Sequence, residues 1–215
     1  MKIIKLALLV PIILTLSSCF GLNAEITLNA NGYGTITLEY RVSRALDALG
    51  RLDGNARWNT IPVGRADFER TMDRLPGMRL LSFSSREDAR DIIISARMEF
   101  SNIQDLLAFL DASGQRSSFS GDAGSGFLLL TLSDASGVNN PDLAGLLAAV
   151  SENYSVQLSM SFPREGSLAL SDSQGRPLPA IPGSEITPAG RRVSGYFPLF
   201  KILNAAEGIN LEFRW

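Results

Sequence analysis

From residue 35 to residue 42 polar and apolar side chains alternate without a break. Ile36, Leu38, Tyr40 and Val42 fall on one side, and Thr35, Thr37, Glu39 and Arg41 on the other. Only an extended strand sends successive side chains to opposite faces, so this stretch folds as a strand with one face buried. The same period recurs in Ile92, Ile94, Ala96, Met98 and Phe100, within a strand expected from Arg90 to Phe100, and in Ile209, Leu211, Phe213 and Trp215. Ile26 and Leu28 alternate just before the turn sequence Ala30-Asn31-Gly32-Tyr33-Gly34, so residues 24 to 42 read as a β-hairpin. Such a chain must build a largely antiparallel sheet with one apolar face.

Further strands are expected over 78–84, 115–120, 126–133, 155–162, 167–170, 191–197 and 209–215, with 86–88 as a charged turn. Helical spacing interrupts them in short stretches. Ser43 caps a helix over 44–49, which Gly50 ends. Phe68, Met72 and Leu75 share a face of a helix over 65–75, which Pro76-Gly77 stops. Ser101 and Gln104 form a capping box that opens a helix to Ala112, with Ile103, Leu106, Leu107 and Leu110 at helical spacing. Asn140 and Pro141 start another, carrying Leu143, Leu146, Leu147 and Val150, and a short helix covers 198–206. Residues 171–190 hold four of the ten prolines and read as a long loop or an edge excursion. The fold class is therefore α+β, mainly antiparallel sheet with helices packed on one face. The strand-to-helix passage at 96–107 is echoed at 193–203, either from a duplicated α/β unit or from common α+β grammar.

The first twenty residues bear on location. Lys2 and Lys5 precede an uncharged run from Leu6 to Leu16, too short for a membrane span of about 20 residues but suited to a secretory signal peptide. At its end stands the single cysteine of the chain, in the order Leu16-Ser17-Ser18-Cys19. This resembles the lipobox of bacterial lipoproteins, which implies lipidation of the Cys19 sulfur and cleavage after Ser18. A thiolate is the good nucleophile such a transfer needs. The reading divides the chain into a signal peptide over 1–18, a lipidated cysteine and short tether over 19–23, and an extracytoplasmic domain over 24–215. Phe20 stands where an aspartate would favour inner-membrane retention in Gram-negative lipoproteins, so the outer membrane is favoured.

Chemistry-bearing motifs are few. There is no histidine, hence no imidazole base or imidazole metal ligand. No nucleophile elbow, P-loop or dinucleotide fingerprint is present, so no catalytic residue, metal site or cofactor is expected. Asp67, Glu69 and Asp73, and Glu87, Asp88 and Asp91, stand among arginines and read as solvated mixed-charge faces. The repeat Asp-Ala-Ser-Gly at 111–114 and 134–137 reads as turn punctuation. Loss of Lys2 and Lys5 makes the chain two units more negative than its formal −2, which argues against nucleic acid as a partner. The helices over 106–110 and 143–150 carry more apolar residues than one sheet-covering stripe requires. That excess either lines a groove for an apolar ligand or serves a thicker core or a self-association face.

The lipobox, the Asn31-Gly32-Tyr33-Gly34 hairpin, the Phe100-Ser101-Asn102 passage and the ending from Phe197-Pro198-Leu199 to Leu211-Glu212-Phe213 together resemble LppM-type bacterial lipoproteins. The resemblance implies an α/β extracytoplasmic domain in the envelope and, for some members, binding of glycolipids such as phosphatidylinositol mannosides. The leading expectation is a lipid-anchored binding module for a lipid, glycolipid or envelope protein partner near the membrane surface. The alternatives are a structural component of an envelope complex and a hydrolase working through carboxylates alone.

Overall fold

The computed structural model describes residues 20–44, 64–89, 91–111, 114–133, 151 and 154–215. The expected helices over 44–49 (beyond Arg44) and 141–150 lie outside these residues. So do the signal peptide and Leu16, Ser17, Ser18 and Cys19.

Eleven strands and three helices follow in order among the described residues: β1 (Phe20–Leu28), β2 (Gly34–Ser43), α1 (Arg65–Met72), β3 (Met78–Glu87), β4 (Asp91–Phe100), α2 (Ile103–Leu110), β5 (Ser117–Gly121), β6 (Gly126–Ser133), β7 (Ser155–Ser161), β8 (Ser167–Ser171), β9 (Glu185–Ala189), β10 (Arg192–Pro198), α3 (Leu199–Leu203) and β11 (Ile209–Arg214). They form a seven-stranded sheet in the order β3-β4-β2-β1-β7-β10-β9 and a four-stranded sheet in the order β5-β6-β11-β8. Every pairing is antiparallel except β1 with β7. The α+β class with mainly antiparallel sheet holds. The second sheet, packed on the same face as the helices, is the feature periodicity did not announce.

Register explains the core. Paired residues on neighbouring strands point to the same face, so alternation along each strand becomes rows across the sheet. One row runs Leu80, Met98, Ile36, Ile26, Met160 and Val193, and the next runs Phe83, Ala96, Leu38, Ala24, Leu158 and Gly195. These rows face Leu128, Leu130, Leu170, Leu211 and Phe213 of the small sheet in one continuous core. The opposite face of the large sheet shows mostly serines, threonines and charged residues to solvent.

Gly34 lies directly beneath the Phe100 ring, and a Cβ there would overlap both that ring and the Thr27 carbonyl. Phe68 of α1 is fully buried and meets Phe83 with ring centroids 5.5 Å apart. The helix expected to open at a Ser101–Gln104 box opens one residue later. Asn102 is the cap, its Oδ1 accepting from the Asp105 backbone N–H at 3.0 Å.

The helix expected to Leu75 ends at Met72 and the one expected to 206 ends at Leu203, and strand boundaries differ too. β3 runs on to Glu87, because Arg86 and Glu87 still pair with Ile93 and Ile92 of β4. The proline-rich stretch 171–190 contains edge strand β9, where Pro188 is tolerated because its nitrogen needs no partner. β1 begins at Phe20, so residues 20–23, expected as a tether, are strand paired with Val42, Arg41, Tyr40 and Glu39. The two echoed passages share a route, since β4–α2–β5 and β10–α3–β11 each carry the chain from the large sheet to the small one.

Candidate functional site

Helix α2 explains its own apolar excess by standing between two hollows. Ile103 and Leu106 are buried in the core, which is the stripe a covering helix needs. Leu107 and Ala108 line an open hollow of about 600 Å³, closed by Leu75 on one side and by Ser117, Ser118 and Phe119 of β5 on the other. Leu110 turns to a second, deeper hollow of about 220 Å³ between the two sheets. Its walls are Leu22, Ala24, Leu38, Val156 and Leu158 of the large sheet, and Leu130 and Leu132 of β6.

Asp111 and Ser117 line both hollows, so the two adjoin at one polar point. Asp111 is buried directly after α2. Its Oδ2 accepts from the Arg116 backbone N–H at 2.5 Å and from the Ser117 hydroxyl at 3.2 Å. Ser117 takes the place in the row Leu130, Leu211, Leu170 where another apolar side chain would close the core. A hydroxyl bonded to a buried carboxylate cannot fill that space, and the recess results. The first Asp-Ala-Ser-Gly copy is thus more than turn punctuation. Its sequence signal is an aspartate ending an apolar helix three residues before Gly114, whose N–H donates to the Asp111 carbonyl at 3.0 Å. The second copy lies outside the described residues.

A third hollow, about 270 Å³, is polar and lies on the opposite side of the large sheet, lined by Asn23, Glu39, Arg41, Tyr154, Ser155 and Gln157. Gly21 lets the Tyr154 ring settle against β1, because a Cβ there would sit 3.1 Å from Tyr154 Cδ1.

The acidic clusters singled out in the sequence are used locally. Asp67 Oδ2 accepts from the Gly64 N–H at 3.0 Å and its other oxygen from Arg70, while Glu69 pairs with Arg65 at 2.7 Å. Asp88 Oδ1 accepts from the Asp91 N–H at 2.8 Å, and Glu87 lies 3.8 Å from Arg44. Among the described residues no group of three or more acids or cysteines is placed to hold a metal ion. Among them, too, no helix is long and apolar enough to cross a membrane. The described site is an apolar recess beside a buried, hydrogen-bonded carboxylate.

No family profile matches the chain, and no curated protein matches it. Among solved structures it is similar to the NMR structure of the folded domain of LppM from Mycobacterium tuberculosis, with 14% identity over 93% of this chain and 91% of that one and a TM-score of 0.43. That likeness assigns no residue of this chain a role.

Proposed function

We propose that this chain is a lipid-anchored lipoprotein of a bacterial envelope whose domain holds the apolar part of a lipid or glycolipid in the recess beside α2. The observation that carries the binding half is the pair of adjoining hollows, walled by Leu107 and Phe119 on one side of Asp111 and by Leu22, Leu110, Leu132 and Val156 on the other. Apolar sites of about 300–1,000 Å³ with a few placed polar groups are the usual form of a small-ligand pocket. The anchor half is supported by Leu16-Ser17-Ser18-Cys19 behind a signal-like segment, and Phe20 after the cysteine favours the outer membrane. Two or three acyl chains hold a protein firmly at about 0.8 kcal/mol per buried methylene, where one does not.

Two measurements test the halves separately. Palmitate labelling and detergent partitioning are expected for the wild type and lost in Cys19→Ser; labelling that survives the substitution sinks the anchor. Native mass spectrometry of the detergent-released protein is expected to show bound lipid, and Leu110→Asp, which puts a charge at the deeper hollow, is expected to strip it while circular dichroism stays unchanged. Absence of lipid from both proteins, or retention in the variant, overturns the recess as its site.

A further inference from the structure

The two ends of the seven-stranded sheet differ. β1 starts at Phe20, one residue after Cys19 in the sequence, and pairs with Val42 from that first residue. Ser155 opens β7 at the same end, and Pro198 closes β10 there in register with it. The Leu199 N–H donates to the Tyr154 carbonyl at 2.8 Å, which fixes α3 at that end too.

Three features gather there. Phe200 is half-buried yet stays out of the core that takes in Leu199 and Ile202, and the Lys201 ammonium lies 4.8 Å from its ring centroid. The polar hollow of Asn23, Arg41 and Gln157 opens on one side of the sheet. On the other side the deep apolar recess is walled by Leu22 and Val156, the cross-strand row nearest to Phe20 on that face, and by Ala24 and Leu158 in the row after it. Residue 19 is three residues from Leu22, at most about 10 Å of extended chain.

We propose that this end of the domain is a bilayer-facing surface: Phe200 and Lys201 enter the headgroup layer, Asn23, Arg41 and Gln157 meet lipid headgroups, and the apolar recess receives an acyl chain from the membrane beneath it. The proposal rests on the anchor reading above. Magnitudes favour it over capture from solution. The acyl segment that a hollow of about 220 Å³ can bury gains little more than a free lipid loses on association. A tether at residue 19 holds lipid at high effective concentration and removes most of that cost. Among the described residues Arg41, Arg44, Arg86, Arg116 and Lys201 stand at this end against Glu39, Glu87, Asp88, Asp91 and Glu185. With charges so balanced, the contact is apolar and hydrogen-bonded and depends little on salt.

The test uses the full lipidated protein in vesicles of phosphatidylethanolamine and phosphatidylglycerol. A thiol-reactive, environment-sensitive fluorophore is placed at Phe200→Cys, at Lys201→Cys as a second site, and at Tyr33→Cys in the β1–β2 turn of the opposite end. A lipidated Cys19 has no free thiol, so the wild type should take no label and should sediment with the vesicles. The expected result is a blue-shifted label at 200 or 201, quenched several-fold more by lipid-borne nitroxide than the label at 33. Sedimentation with equal or greater quenching at 33, or with all labels in water, overturns the proposal and leaves the anchor standing. Labelling of wild-type Cys19 together with failure to sediment overturns the anchor and this proposal with it.

Discussion

The half of the core around the β1–β2 turn and the half around the start of β1 are made of the same kinds of residue and packed differently. In the first, Ile36, Met160 and Val193 are all 0% exposed. Trp215 there stacks on Phe162 at 4.7 Å and on Phe119 at 5.7 Å, and Phe162 meets Phe213 at 6.2 Å. In the second half, Leu158, Leu38 and Val156 remain 6%, 8% and 9% exposed around the recess. Beside the buried rings of Tyr40 and Phe197, which share the row of Leu22 and Val156, polar links join the packing there. Thr131 Oγ1 donates to Asn210 Oδ1 at 2.8 Å, and Asn210 Nδ2 donates to the Asp172 carbonyl at 2.7 Å. Rings fill space at a sheet-to-sheet junction, whereas small polar groups satisfy one another and leave it open. One half therefore closes the core and the other leaves a hollow in it.

The largest expected contrast is in deletion of core volume. Phe213→Ala should cost about 4 kcal/mol, since a close-packed aromatic site cannot collapse, and Leu158→Ala about 2 kcal/mol, since the recess already adjoins it. Urea denaturation measures both, and equal costs would break the comparison. A smaller contrast reverses sign. Ala24 and Ala96 both pair within the row of Leu38, but Ala24 walls the recess and Ala96 is fully buried away from it. Ala24→Val should stabilise by about 0.5 kcal/mol and weaken lipid retention, while Ala96→Val should destabilise by about 1–3 kcal/mol. Two destabilising valines would mean the recess is too small to fill.

The smallest expected effect belongs to Asp172, whose contribution is present at neutral pH and is lost in acid. Burial pushes its carboxyl up, but this is outweighed: the Arg176 backbone N–H and guanidinium, the Gln174 N–H and the Arg176 charge hold it below the usual carboxylate value. Its oxygens accept from the Gln174 and Arg176 N–H groups at 2.8 Å each and from Arg176 Nε at 2.6 Å. A depressed folded value means the unfolded chain takes up the proton first. The stabilisation is present in full above the ordinary carboxylate range and is lost as pH falls through the lower folded value. Asp172→Asn should therefore flatten the acid limb of the stability profile; an unchanged limb in the variant would assign acid sensitivity to other carboxylates.

Much of this arrangement was legible in the residues themselves. Alternation at 35–42, 92–100 and 209–215 marks the core-facing side chains, because a strand's period of two puts them on one face, although Ile93 and Asn210 of the other parity are buried as well. Turn chemistry at Asn31-Gly32 and Gly121–Ser125 fixes two hairpins, and the single cysteine behind an apolar leader supplies the anchor expectation. The recess was legible only as an unexplained apolar excess on α2. The division of the strands into two sheets, the pairing of β1 with β7 across more than a hundred residues, and the meeting of Asp111 with Ser117 in a wall of leucines were decided by the tertiary structure. Periodicity says which face of a strand is buried but not against what. The partner is chosen by register and shape across the whole chain, and only there does one serine in an apolar row become a space instead of a contact.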